Sequence, residues 1–376
     1  MWVYLDQAAT ATCKVPDQEI DDGCMLGNPS SLHLPGVRAF DKLEAARKEI
    51  AQLIGAQPGE IYFTSGGTES NTWAIKGAAY ANQGKGRHII TTAIEHPSVL
   101  ESCRFLEEND FEVTYIKPQP NGSVAAKDVL DAIRDDTILV SVMALNNEIG
   151  TFQPYIYIGK QCRERGVLFH TDAVQLTPHE KVDMRVDKID MMSVSGHKFG
   201  APVGTGFLYI REGTNIIPLL HGGGQEGGLR SGTESVELAT KLAASLKDTY
   251  EHMEERDHNT GRLRDLLYSL IMTDIPDAKL NGDYLRVSNN LNMCFPGVHG
   301  EMLAYELGNQ GIYVSTGSAC SSFEDTPSHV LTAIGLSLED AMSSIRITLP
   351  HDLDSQSIHY VAKTIIETVR NLRAAL

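Results

Sequence analysis

From Gly59 to Ile210, short apolar runs alternate with helical stretches, and this alternation leaves the chain few architectures to choose from. GEIYFTSGG reads as a strand running into a glycine turn, and ESNTWAIKGAAYAN as the helix behind it. The strands RHIITTAIEHP, FEVTYIKP, TILVSVMALNNEIG and VLFHTDAVQ follow, separated by the helices SVLESCRFLEEND, AAKDVLDAIRDD and YIYIGKQCRERG. IDMMSVSGHKFGAPVGTGFLYI gives two further strands around a glycine-rich turn. Such a series builds βαβ units around a mainly parallel sheet. The strands are rich in Val, Ile, Phe and Met, as a sheet covered on both faces requires. The expected class is α/β.

The rest of the chain has a different texture. SVELATKLAASLKDTYEHMEERDHNTGRLRDLLYSLI reads as one long helix, highly charged in its middle. RVSNNLNMCFPGV, the helix EMLAYELGNQG, the short strand IYVST and two more helical stretches then form a second, α+β unit. A boundary near Glu251 to Glu255 divides the chain into a large domain, 12–252, and a small α+β domain made of 1–11 and 253–376. The 376 residues suit two domains at roughly 150 residues each. The stretch from Thr10 to Gly27 has no clear periodicity and reads as irregular.

Composition removes several function classes. A net charge of −17 argues against general nucleic-acid binding, which needs a basic face. No apolar run reaches the roughly 18 residues of a membrane-spanning helix. MWVYLDQAAT lacks the basic and apolar regions of a secretory signal. The cysteines (Cys13, Cys24, Cys103, Cys162, Cys294, Cys320) form no CxxC and no zinc-type spacing, so no stable metal is expected. Scattered thiols fit a reducing, cytoplasmic compartment.

Ligands of open α/β sheets sit at the carboxyl ends of the strands. Polar residues interrupt the apolar runs there: Gly66, Gly67 and Thr68; His96; Asn147; Asp172 and Gln175; Ser195, His197 and Lys198. Each has an ordinary explanation. SGGTES could be a plain turn, Lys198 a solvated turn lysine, Asp172 a helix cap, His96 a surface histidine, Cys320 an inert thiol and Arg346 an ion-paired edge residue. Together they are the parts of a pyridoxal 5'-phosphate site. A lysine can form a Schiff base and a carboxylate can pair with a pyridinium nitrogen, while a helix N-terminus attracts a phosphate. An arginine fork suits an amino-acid carboxylate.

At this point the sequence resembles the cysteine desulfurases of the NifS/IscS type, within the class V aminotransferase family of fold-type I pyridoxal-phosphate enzymes. The resemblance is carried by YLDQAAT, GNPSSLH, FTSGGTESN, EHPSV, NNEIG, HTDAVQ, SGHKFGAPVGTG, LRSGTES and STGSACSS, in that order along nearly the whole chain. It implies a large domain with a mainly parallel seven-stranded sheet, and a smaller α+β domain carrying the catalytic cysteine. It implies that Lys198 forms the Schiff base and that Ser195, His197, Gly67 and Thr68 hold the phosphate. Asp172 would pair with the pyridine nitrogen and Gln175 with the ring hydroxyl. His96 would stack on the ring and move protons, and Asn147 and Arg346 would bind the substrate carboxylate. Thr233 would reach the phosphate of a neighbouring subunit's cofactor, which implies a homodimer. Cys320 would be the nucleophile that takes sulfur from L-cysteine, leaving L-alanine and a persulfide for an acceptor protein. That acceptor would be an iron–sulfur cluster scaffold or a thiolation carrier, and any contact of Cys320 with a cluster would be transient. Selenocysteine lyase, another C–S lyase and an aminotransferase share the fold; Cys320 argues against the aminotransferase. The chain departs from the family pattern at Gln7, Gly227, Pro350 and Trp73, and between Thr10 and Gly27 it is shorter than most members.

Overall fold

The computed structural model describes residues 2–11, 27–317 and 326–375. Cys320 and most of the Thr10–Gly27 stretch lie outside the described residues. In chain order, strand β1 (Val3–Tyr4) and helix α1 (Leu34–Leu53) come first. Strands β2 (Ile61–Thr64), β3 (His88–Thr92), β4 (Glu112–Ile116) and β5 (Thr137–Ser141) follow, with β6 (Leu168–Asp172), β7 (Met191–Ser195) and β8 (Gly206–Ile210) after them. Between these strands lie α2 (Gly67–Asn82), α3 (Pro97–Glu107), α4 (Ala126–Asp131) and α5 (Tyr155–Glu164). The chain then runs through α6 (Val236–Asp274), β9 (Lys279–Leu280), β10 (Asn290–Cys294), α7 (Gly300–Asn309) and β11 (Ile312–Tyr313). It finishes with α8 (His329–Ala333), α9 (Leu338–Met342), β12 (Ser344–Thr348) and α10 (Ser355–Ala374).

The large sheet has seven strands in the order β2-β8-β7-β6-β5-β3-β4. Pairings from β4 to β7 are parallel, and β8 is antiparallel to both β7 and β2. Strands β3, β5, β7 and β8 are buried at every position, so their polar side chains must find partners inside. His170 meets Ser141 at 2.8 Å through Nδ1 and Ser193 at 2.9 Å through Nε2, which ties β5, β6 and β7 together. Burial pushes this imidazole down to about 3, so it is a neutral wedge. His88 spans Thr137 and Thr114 in the same way, at 2.7 and 2.8 Å.

Helices α1, α5 and the first half of α6 cover one face of the sheet, and α2 and α3 cover the other. A separate core gathers Val3, Leu5, Met293, Ile312, Ile345, Ile347 and the apolar side of α10. Helix α6 serves both cores. Ala239, Leu242, Ala243, Leu246, Tyr250 and Met253 enter the first, whereas Leu263, Leu267 and Ile271 enter the second. The i, i+3, i+4 spacing within each set keeps each half of the helix on one face. We propose that the two cores mark two domains sharing this helix. Among the described residues no helix is long and apolar enough to cross a membrane.

One buried ion pair fixes the loop that leads into α6. Glu226 is a non-glycine residue in the left-handed region, at φ 49°, a conformation that needs support from its surroundings. Its carboxylate accepts from Arg47 Nη1 and Nη2 at 2.8 Å each and from the Phe63 amide at 2.9 Å. Arg47 also donates to the Ile61 carbonyl at 2.5 Å. Removing the cation would strand a buried carboxylate. Arg47→Met is expected to cost about 3–5 kcal/mol in urea unfolding; a loss below about 1 kcal/mol would show that the pair does not hold the loop.

Candidate active site

The carboxyl ends of β6 and β7, the segments after β3 and β5, and the start of α2 face one cavity. It is lined by Gly67, Thr68, Asn71, His96, Asn147, Asp172, Gln175, Ser195, His197, Lys198 and Arg346, with Ala8 and Ala9. The structure therefore brings together every expected site residue except two. Thr233 lines a separate recess with Ser65, Thr205 and Arg230. Cys320 lies outside the described residues.

The sheet positions each group for a local reason. Asp172 ends β6 and is buried; its Oδ1 accepts from the Val174 amide at 2.9 Å and its Oδ2 from Asn71 Nδ2 at 2.6 Å. Gly66 precedes α2 at φ 142°, and a Cβ there would stand 3.5 Å from Ser195 Oγ. A Cβ at Gly67 would come within 2.7 Å of Val174. Glycine at both places leaves the helix N-terminus open beside Ser195, with no side chain capping it. His96 caps α3, accepting the Ser98 amide on Nδ1 at 3.1 Å. Asn147 differs from its sequence-based place at a strand end. Regular strand stops at Ser141, and the chain continues along β6 through the Val142 and Ala144 amides, which bond the His170 and Asp172 carbonyls.

The N-terminal segment closes the cavity. Lys198 Nζ donates to the carbonyls of Ala8 and Ala9 at 2.6 and 2.8 Å, and Gln175 Nε2 reaches the Ala8 carbonyl at 3.0 Å. Thr10 Oγ1 lies 3.2 Å from His197 Nδ1. Arg346, 2% exposed, reaches across from β12. It donates to Asp6 at 2.8 Å and to the Asn147 carbonyl at 3.1 Å, and its buried Nε has no partner among the described residues.

Burial shapes the electrostatics. It pushes His197 down to about 4, helped by the Lys198 charge. It also holds His96 below the ordinary histidine range; Asp172 opposes this, while Lys198 and His329 add to it. Glu95, fully buried behind His96, is pushed up to about 8 by burial against the bonds from Met143 and Thr92, with Asp172 adding to the rise. Burial thus favours its neutral form.

Sequence reasoning missed several of these groups. Asn71 shows only as one polar position in TESNTWA. Glu95 sits inside the quoted EHPSV motif, but nothing local marks it as buried. Glu148 accepts from Ser328 Oγ, and its carbonyl accepts from Asn290 and Asn292 at 3.1 Å each. Those partners are distant in sequence and invisible from NNEIG alone.

The residues fit pyridoxal 5'-phosphate. The uncapped N-terminus of α2 beside Ser195 and Thr68 suits a phosphate, the buried Asp172 carboxylate suits a ring N–H, and Lys198 supplies an amine. Among the described residues no group of three or more His, Cys, Asp or Glu is placed to hold a metal ion.

The family model for class-V aminotransferases matches residues 3–361. The chain belongs to that family. Its relatives in the family include the cysteine desulfurase IscS of Methanosarcina thermophila, 44% identical over 99% of this chain and 93% of the relative. A solved NifS-like protein superposes with a TM-score of 0.90 at 35% identity, covering 99% of this chain and all of the other. A structure of SspA in complex with cysteine gives a TM-score of 0.81 at 36% identity over 93% and 99% of the two chains. This class-V chain is a cysteine desulfurase by that kinship, and the family is pyridoxal-phosphate dependent.

Glu95 gives the site a signature in its pH dependence. A carboxyl whose folded pKa is raised from 4.5 to about 8 adds stability that is present below pH 4.5 and lost as pH rises through 8. Glu95→Gln copies the neutral acid and removes that loss. The variant is expected to gain on the wild type by about 3–4 kcal/mol between pH 5 and 8 in denaturant unfolding. Parallel pH profiles would mean that Glu95 is ionised in the fold.

Proposed function

We propose that this cavity binds pyridoxal 5'-phosphate and L-cysteine and that the chain moves the substrate's sulfur to Cys320. The observation that carries the reading is the convergence of Asp172, Lys198, His96, Gln175 and Arg346 on one cavity. When bound, the cofactor supplies an electron sink that weakens the bonds to the substrate's Cα and to its sulfur. The amides at Gly67 and Thr68, with Ser195 and His197, would hold the phosphate. Asp172 would keep a proton on the ring nitrogen, and Gln175 would donate to the ring hydroxyl. Lys198 Nζ would bond the cofactor at rest and give way to the substrate amine. Arg346 Nε and the Asn147 amide would take the substrate carboxylate; an unpaired guanidinium N–H in a dry site is a strong anchor for it.

The Cys320 thiolate would attack the substrate sulfur, because the thiolate and not the thiol is the nucleophile. An S–S bond forms, the C–S bond breaks with its electron pair left on carbon, and that carbon takes a proton. The products are L-alanine and a Cys320 persulfide. The persulfide would pass to an acceptor protein serving iron–sulfur cluster assembly or nucleic-acid thiolation. Thr233, standing apart from the cavity, would serve the cofactor of a second copy of the chain, in a homodimer.

The test is purified protein with L-cysteine and a thiol reductant, measuring alanine, sulfide and the visible spectrum. Equal amounts of alanine and sulfide from a yellow protein are expected. Cys320→Ala should keep the spectrum and lose at least about a thousandfold in sulfide release, as loss of a covalent nucleophile implies. Unchanged turnover in that variant would overturn Cys320 as the nucleophile.

A further inference from the structure

His96 and Asp172 are joined by a chain of hydrogen bonds through two side chains to which nothing above assigns a role. Asn71 Nδ2 lies 2.6 Å from Asp172 Oδ2 and 2.9 Å from Ser98 Oγ. Ser98 Oγ lies 2.8 Å from His96 Nδ1. Asn71, Asp172 and Ser98 are at most 9% exposed, so water does not compete for these bonds.

The directions of the bonds are determined. Asp172 Oδ2 accepts here, so the amide group of Asn71 turns its nitrogen toward it. The second hydrogen of that nitrogen then points at Ser98 Oγ. Having accepted there, the hydroxyl has its own hydrogen for His96 Nδ1. The Ser98 backbone amide, which can only donate, faces the same nitrogen at 3.1 Å. Nδ1 is therefore an acceptor whose one lone pair is shared by the two donors, and the proton of the neutral ring sits on Nε2.

We propose that Asn71 and Ser98 are positioning residues that transmit the charge of Asp172 to His96 and lock it as the Nε2–H tautomer. The proposal deepens the reading of the cavity as a pyridoxal-phosphate site, and rests on it only for the effect on turnover. A ring locked in this way presents its Nε2–H to the cavity. The groups around the ring are Asp172 from β6, Lys198 after β7, His329 of α8 and the buried Glu95 that precedes it. Lys198 and His329 disfavour a charged ring, and Asp172 favours one. The link makes Asp172 act in the opposite sense through bonds, by aiming a hydroxyl hydrogen at Nδ1. A resident cofactor proton on Asp172's other oxygen would leave this direction intact.

The experiment is ¹⁵N-histidine labelling of the holoenzyme, with His96 assigned among the 13 histidines by its loss in His96→Gln. Two-bond ¹H–¹⁵N spectra then distinguish protonated from unprotonated ring nitrogens. The wild type is expected to show only the Nε2–H form between pH 6 and 8. Ser98→Ala, which leaves only the longer backbone-amide bond on Nδ1, is expected to admit a detectable Nδ1–H population, a titration shifted upward, and a kcat about tenfold lower with KM for L-cysteine within about twofold. Ser98→Thr, which keeps the hydroxyl, should restore the wild-type spectrum. Asn71→Leu should mix the tautomers as Ser98→Ala does. Wild-type nitrogen shifts in Ser98→Ala, or a raised KM with unchanged kcat, would overturn the proposal. A protein that releases no alanine from L-cysteine yet shows the locked tautomer would overturn the proposed function and leave the link standing.

Discussion

The site depends on a seam made by seven residues near the N-terminus. Residues 5–11 lie between the edge of one core and the glycine-rich turn of the other. The Leu5 carbonyl accepts the Thr348 amide at 2.8 Å, and the Ala8 amide donates to Thr348 Oγ1 at 3.0 Å. On the other side, the Ala8 and Ala9 carbonyls hold Lys198, and the Ala11 amide bonds the His197 carbonyl at 2.9 Å. Asp6 meets Arg346 in between. The same backbone therefore fixes the Lys198 amine and the Arg346 guanidinium relative to each other, though they come from different cores of the structure. Alanines at 8 and 9 leave the carbonyls free to do this without side chains filling the cavity.

Burial decides which groups carry charge. His170, His88 and His197 are pushed toward neutrality, and Glu95 is pushed the same way. Asp172 and Glu95 are carboxyls in unequal environments: the first accepts two N–H bonds, and one oxygen of the second has no partner among the described residues. Charges and dipoles fixed in this way act at short range and need no reorganisation.

Much of this was legible in the sequence, because strand ends and glycine turns obey local rules. The alternation from Gly59 to Ile210 gave the sheet and its two faces, and the polar residues ending β6 and β7 marked the cavity. What remained hidden depends on contacts between distant segments. Asn147 looked like the end of a strand because ALNNEIG continues an apolar run, yet the chain leaves regular pairing at Ser141 to follow β6. Asn71 looked like any polar position on a helix, and only the fold brings Asp172, 101 positions later, against it. Arg346 could be tied to the site only by resemblance, since its partner Asp6 lies 340 positions away. Thr233 could likewise be named but not placed, and Cys320 lies outside the described residues.

The long helix α6 bears on how the molecule comes into being. Its first half packs onto a core supplied almost entirely by the preceding chain, with Val287 the one later residue in it, so a nascent chain ending there can bury most of the large sheet. Its second half must wait. The core it enters needs Ile345, Ile347 and Val369 from the end of the chain together with Val3 and Leu5 from the beginning. Contacts of such long sequence separation form late, after the costly loop has closed. The N-terminal seam therefore stays undocked until synthesis is nearly finished, and Arg346 reaches the cavity at the same moment. A truncated or half-made chain would own Lys198 and Asp172 but lack both the docked seam and Arg346. The cavity's wall is thus completed by the last part of the chain to arrive, so an unfinished chain carries an unfinished site.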